Sequence, residues 1–293
     1  MQFSNKGFES MQHQRLFILG APKCGTTSMA HWLSHHPEIA MSRIKEPHFY
    51  NTDMGNRTIT NMREYESLFD ISPQTRVLAE ASTWYLYSDA AVPNILADHP
   101  DAKFVVMTRD PIEMAISLFY HNRYKLHEPL ETIGAAWAAQ ARRARGDGLP
   151  HDCVEPAFLQ YQAACSLRTL VQRLQERVRP ANLLILHLED LRTDPGTGYR
   201  ALLSFAGVTD DGRSEFPVRN EARQHRSKLL GQAFKKAARL KRRLGLRVRL
   251  NIGSLNKAPL TAKHVPDDVR AEMAHTLADQ RVPREMTARR VSA

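Results

Sequence analysis

The stretch RLFILGAPKCGTTS, residues 15–28, constrains the fold of this chain more than any other. Its apolar run at 16–19 ends on a glycine and reads as a short buried strand. Gly20 and Gly25 bracket a turn, and Thr26, Thr27 and Ser28 then open a helix whose apolar face carries Met29, Ala30 and Leu33. Strand, glycine loop and helix N-terminus in succession form an anion cradle, because loop N–H groups and the positive helix end converge on one point. Lys23 adds a mobile point charge, and the three hydroxyls add donors.

The nucleotide-triphosphatase loop has the pattern GxxxxGK[ST]. Gly20 and Gly25 keep its four-residue spacing, but Thr26 stands where the lysine should follow, and the lysine sits upstream at Lys23. The lysine and the magnesium-bound hydroxyl of that pattern are therefore not both in register. The loop suits a phosphate ester whose transfer needs a lysine rather than a metal. A phosphate-transferring kinase of the same loop class is the alternative, and it would require the missing Gly-Lys pair.

Three more segments read as strands: 76–80 (RVLAE), 102–107 (AKFVVM) and 183–188 (LLILHL). A brief apolar run lies at 39–41. Helical patterns cover 61–69, 88–99, 112–124, 131–145, 157–178 and 198–206. Asp110 and Pro111 mark one helix start sharply, as N-cap and first helical residue. Strands alternating with helices predict a three-layer α/β sandwich with a central parallel sheet of about five strands, of the P-loop nucleotide-binding type. Ligands in such sheets bind beyond the strand C-terminal ends. The segments at 20–28, 80–84 and 108–117 all fall there.

Arg109 closes the strand at 102–107, and Ser117 lies two helical turns past the cap. An arginine at a strand end beside a helix start can grip a second phosphate through paired N–H groups. A simple ion pair with Asp110 is the plainer reading. Taken with the lysine loop, Arg109 and Ser117 imply a nucleotide carrying two separated phosphate groups.

PKCGTTS followed by TRDPIEMAISLFYH resembles the 5′-phosphosulfate loop and the 3′-phosphate motif of the sulfotransferase family, over about residues 15–208. The resemblance implies 3′-phosphoadenosine 5′-phosphosulfate (PAPS) as co-substrate and no metal. It implies donor binding by Lys23, Cys24, Gly25, Thr26, Thr27, Ser28, Arg109 and Ser117, and by Lys257 from a late loop. Lys45-Glu-Pro-His-Phe-Tyr50 is similar to the loop with the catalytic glutamate in the glycosaminoglycan branch. Glu80-Ala-Ser-Thr-Trp-Tyr85 is similar to that branch's acceptor-side strand end, which implies Glu80, Ser82 and Trp84 as acceptor contacts. That branch commonly has a lysine after the glutamate; here Ala81 stands instead.

In-line sulfonate transfer needs a base on the acceptor and a cation on the leaving phosphate oxygen. Lys23 is the expected cation. Glu46 matches the family's base, and His48 is the alternative, since imidazole titrates near neutrality. Pro47 biases Glu46 toward extended backbone, which would turn His48 the opposite way and leave one of the two facing the donor.

The 293 residues are expected to form a single domain, with a core at about 15–210, a basic helical cap and late loop at 211–265, and a C-terminal helix and loose tail at 266–293. Three scattered cysteines, at 24, 153 and 165, argue against a disulfide framework. No secretory signal or 18-residue apolar run is visible, so the expected location is cytoplasmic. Residues 223–249 hold eleven of the 41 Lys and Arg and no acid, leaving 30 basic against 31 acidic residues elsewhere. Leu230, Phe234, Ala237 and Leu244 recur there at near-helical spacing. A contact with a membrane surface or another polyanion, through this segment, is the corresponding expectation. No specific nucleic-acid partner is implied. The acceptor is expected to be a hydroxyl compound, carbohydrate or lipid-linked.

Overall fold

The computed structural model describes residues 13–219 and 264–286, together with the backbone of two short strands at 223–225 and 257–259. Five parallel strands form the central sheet: β1 (Gln14–Gly20), β2 (Ile39–Met41), β3 (Val77–Ala81), β4 (Lys103–Thr108) and β5 (Leu183–His187). Their order is β2-β3-β1-β4-β5, so the chain passes from β1 to the edge strand β2, returns to β3 beside β1, and then steps outward through β4 and β5 on the other side. The direction reverses between β1 and β4, which opens a crevice at their C-terminal ends. Helices cover both faces, and β3 is accordingly buried along all five residues. This is the α/β architecture expected from the alternating pattern.

Helix α1 (Thr26–Leu33) follows β1 through the glycine loop, and α2 (Met62–Glu66) and α3 (Ala91–Asp98) flank β3. Helix α4 (Pro111–Tyr124) starts at the expected cap: the Asp110 carboxylate accepts from the amides of Ile112 at 3.0 Å and Glu113 at 3.1 Å. The long helical pattern at 131–145 divides into α5 (Ile133–Ala138) and α6 (Gln140–Ala144). That at 157–178 divides into a 3-10 turn at Pro156–Leu159, α7 (Tyr161–Cys165) and α8 (Leu167–Arg177). The breaks fall where Gln160 and Ser166 leave helical backbone. Beyond β5, α9 (Leu188–Thr193) leads into α10 (Pro195–Ala206).

Residues 209–219 then run back along α1: the Trp32 indole N–H donates to the Pro217 carbonyl at 3.1 Å, and Phe216 packs edge-on against Trp32. Strands β6 (Arg223–His225) and β7 (Lys257–Pro259) pair antiparallel. Most of the basic segment at 223–249 lies outside the described residues. Helix α11 (Asp267–Thr276) buries Met273 against the core, and Leu277 and Val282 continue that contact. Among the described residues, no helix is long and apolar enough to cross a membrane.

Candidate active site

A cleft of about 760 Å³ opens at the crevice between β1 and β4. Its floor is the glycine loop. Gly25 precedes α1 with φ 90, in the left-handed region, and no side chain caps the helix. A Cβ there would stand 2.9 Å from the Leu188 side chain, and one on Gly20 would meet the Thr83 carbonyl at 2.5 Å, so both positions need glycine. Lys23 is also left-handed, at φ 67, and its carbonyl accepts from Arg109 Nη1 at 3.1 Å. The strand-end arginine thus holds the lysine loop directly, rather than pairing with Asp110. Arg109 is buried, its Nη2 lies 3.9 Å from Glu113, and its Nε has no hydrogen-bond partner. Arg109 also lines the cleft, where a guanidinium can meet an incoming anion.

Lys23, Gly25, Thr26, Thr27 and Ser28 line one part of the cleft, with Arg109 and Ser117 beside them. The Ser28 hydroxyl is engaged with the returning strap, accepting from the Arg219 amide at 2.9 Å. Cys24 departs from expectation. Its side chain points into the core, its Sγ contacts the Pro22 carbonyl and Met114, and burial pushes its thiol up to about 12. Its amide is already bonded to Ala21, so Cys24 shapes the loop without reaching the cleft. The Lys257 side chain lies outside the described residues.

Glu46 and His48 both line the cleft, against the expectation that one would turn away. Glu46 adopts φ 64 rather than extended backbone, and His48 has φ 49, so the loop coils and brings the two side chains together. His48 Nε2 lies 3.6 Å from one Glu46 oxygen, while Lys45 at 2.7 Å and the Thr83 hydroxyl at 3.1 Å donate to the other. Burial alone would raise the Glu46 carboxyl, but the His48 ring and the Lys45 ammonium outweigh it and hold it well below the usual carboxylate range. Glu46 is therefore ionised at neutral pH.

Trp84 lines the cleft as expected, and Thr83 joins it. Glu80 and Ser82 do not. Both are buried below its wall, where the carboxylate accepts from the hydroxyls of Ser82, Tyr65 and Tyr85. Strand alternation offers no signal for this, because β3 is covered on both faces.

The sequence reading missed several lining residues. His121 lies one helical turn beyond Ser117 on α4, the spacing that could have revealed it. Burial pushes its imidazole down to about 3, and Lys23 reinforces the shift, so it is neutral. Asn122, Lys125 and Phe158 extend this wall, with Phe158 4.5 Å from the Trp84 ring. At the other end Trp32, Phe216 and Val218 form an apolar edge. Among the described residues, no group of three or more His, Cys, Asp or Glu is arranged to hold a metal.

The family model described as "Sulfotransferase domain" matches residues 13–239. The chain is 31% identical to carbohydrate sulfotransferase 15 of Rattus norvegicus over 34% of its own length and 26% of that protein. It is 26% identical to the human bifunctional heparan sulfate N-deacetylase/N-sulfotransferase 3 over 66% of its length and 22% of that protein. The chain thus spans about a quarter of the length of these curated relatives. A solved sulfotransferase from Alicyclobacillus acidocaldarius shares the fold with a TM-score of 0.63 and 25% identity, covering 81% of this chain and 97% of that one. The kinase alternative is set aside with these findings. The chain belongs to the sulfotransferase family, whose co-substrate is PAPS.

Proposed function

We propose that this domain moves a sulfonate group from PAPS to a hydroxyl or amine of a carbohydrate. The observation that carries the reading is one cleft lined by a lysine-bearing glycine loop, the strand-end Arg109 that holds that loop, and an ionised Glu46 beside His48. In this reading the 5′-phosphosulfate lies over Gly25–Thr27 and the 3′-phosphate meets Arg109 and Ser117. The apolar edge at Trp32, Phe216 and Val218 takes the base.

The acceptor enters beside Trp84 and Phe158, whose rings suit the flat face of a sugar. Glu46, with His48 alongside, takes the acceptor proton as the acceptor atom bonds to sulfur. The bond from sulfur to the bridging oxygen breaks, and Lys23 meets the charge left on the departing phosphate. The carbohydrate acceptor draws support from the names of the relatives.

The test incubates the protein with 35S-labelled PAPS and a panel of glycosaminoglycan oligosaccharides, monosaccharides and lipid-linked sugars. Label is expected in a sugar product, and Lys23→Ala should lower its rate about a hundredfold, equivalent to ~3 kcal/mol of transition-state stabilisation. Transfer to none of the sugars would contradict the acceptor class. The acid-free basic stretch at 223–249 supports a further role in holding a polyanion, such as an anionic membrane surface. Such binding weakens steeply with added salt, and salt-independent binding would speak against it.

A further inference from the structure

Glu80, the penultimate residue of β3, is 1% exposed and is not part of the cleft wall. Three hydroxyls converge on it: Tyr65 at 2.9 Å and Tyr85 at 3.0 Å on Oε1, and Ser82 at 2.8 Å on Oε2. Two of these hydroxyls also accept from the loop above. The Tyr85 oxygen receives the amides of Phe49 at 2.9 Å and Tyr50 at 3.1 Å, and the Ser82 oxygen receives the amide of His48 at 3.2 Å.

A hydroxyl has one proton, and an ionised carboxylate only accepts. With amides donating to their oxygens, Tyr85 and Ser82 can place their protons only toward Glu80. The network therefore has one direction, from three consecutive loop amides through two hydroxyls to one carboxylate. Burial pushes the Glu80 carboxyl up, and the hydroxyls of Ser82, Tyr65 and Tyr85 pull against it. The segment so clamped follows Glu46 at φ 64 and includes His48 at φ 49. Non-glycine residues keep left-handed backbone only where their surroundings fix it.

We propose that Glu80 is a positioning residue: it orients the Tyr85 and Ser82 hydroxyls, which clamp the amides of residues 48–50 and so hold Glu46 and His48 at the cleft. The functional part of this inference rests on the reading of Glu46 and His48 as the proton-accepting pair. Glu80 itself touches neither donor nor acceptor. An acidic residue at a buried strand end is thereby tied to transfer through backbone geometry.

Glu80→Gln tests this, because it keeps the shape while setting an NH2 donor against hydroxyls that already donate. Amide hydrogen exchange at His48, Phe49 and Tyr50 is expected to speed up at least about tenfold, the loss of roughly one hydrogen bond, with β1 and β4 unchanged. Affinity for 3′-phosphoadenosine 5′-phosphate (PAP) should stay within about twofold, since the donor loop and Arg109 are untouched. With an oligosaccharide that the wild type sulfonates, kcat should fall while KM for PAPS holds.

Ser82→Ala and Tyr85→Phe separate the two arms. The first should loosen only the His48 amide, the second only those of Phe49 and Tyr50. Wild-type exchange at all three amides in Glu80→Gln would overturn the proposal, as would acceleration spread evenly through the sheet. If Glu80→Gln does not fold, the two hydroxyl variants decide, and unchanged exchange at their own amides would overturn it. The exchange experiment needs no acceptor. A wild type that fails to bind PAP would sink the functional reading and leave the clamp separately measurable.

Discussion

His121 offers a sharp test of the electrostatics of the cleft. Its imidazole falls from the ordinary 6.5 to about 3, chiefly through burial and then through Lys23. At pH 5 the unfolded chain therefore protonates this residue and the folded chain does not. The sign follows: a depressed histidine costs stability as pH falls below 6.5, and the loss continues toward 3. Between pH 8 and pH 5 the interval crossed is about 1.5 units, worth roughly 2 kcal/mol at 1.36 kcal/mol per unit. The perturbation is His121→Asn, which removes the titration, and the assay is urea unfolding of both proteins at the two pH values. Stability of the wild type relative to the variant should drop by about 2 kcal/mol on going from pH 8 to pH 5. Parallel pH dependence in the two proteins would refute the burial of a neutral imidazole beside Lys23.

Two further substitutions probe the scaffold around the site. Gly25→Ala places a Cβ 2.9 Å from Leu188 at φ +90, which costs about 1–2 kcal/mol of left-handed strain and should weaken PAP binding about tenfold in calorimetry; unchanged affinity would free the loop from its glycine. Arg143 binds Glu128 through its two terminal guanidinium nitrogens, Nη1 at 2.7 Å and Nη2 at 2.8 Å, with both side chains buried, so Arg143→Leu should cost about 3–5 kcal/mol by denaturant titration. Adding Glu128→Leu should recover part of that loss, and a double variant no better than the single would argue against an uncompensated charge as its cause.

The sheet was legible wherever burial leaves a continuous apolar run. Residues 16–19 and 102–107 announce β1 and β4 by themselves, and Asp110-Pro111 fixes the start of α4. The parts of the cleft carried by short contiguous motifs were legible too: Lys23 with its glycines, and Arg109 with Ser117 one element later. What escaped depends on contacts between segments far apart in the chain. Glu80 reads as an acceptor contact until three hydroxyls from the fold are seen to enclose it. Glu46 reads as extended beside Pro47 until the amides after it are found bonded to Ser82 and Tyr85. Phe216 and Arg219 carry no local signal and join the cleft only because the strap returns along α1. The helical pattern at 157–178 contains no proline, so its breaks at Gln160 and Ser166 come from packing rather than from sequence.

The central claim is that Arg109 recognises a second phosphate on the nucleotide. Calorimetric titration with PAP and with 5′-AMP tests it most directly, since the two share the adenosine and the 5′-phosphate. One charge-assisted contact of ~2–3 kcal/mol predicts that PAP binds roughly 30- to 150-fold more tightly than 5′-AMP, and that Arg109→Ala erases most of the difference. Equal affinity of the wild type for the two nucleotides would contradict it.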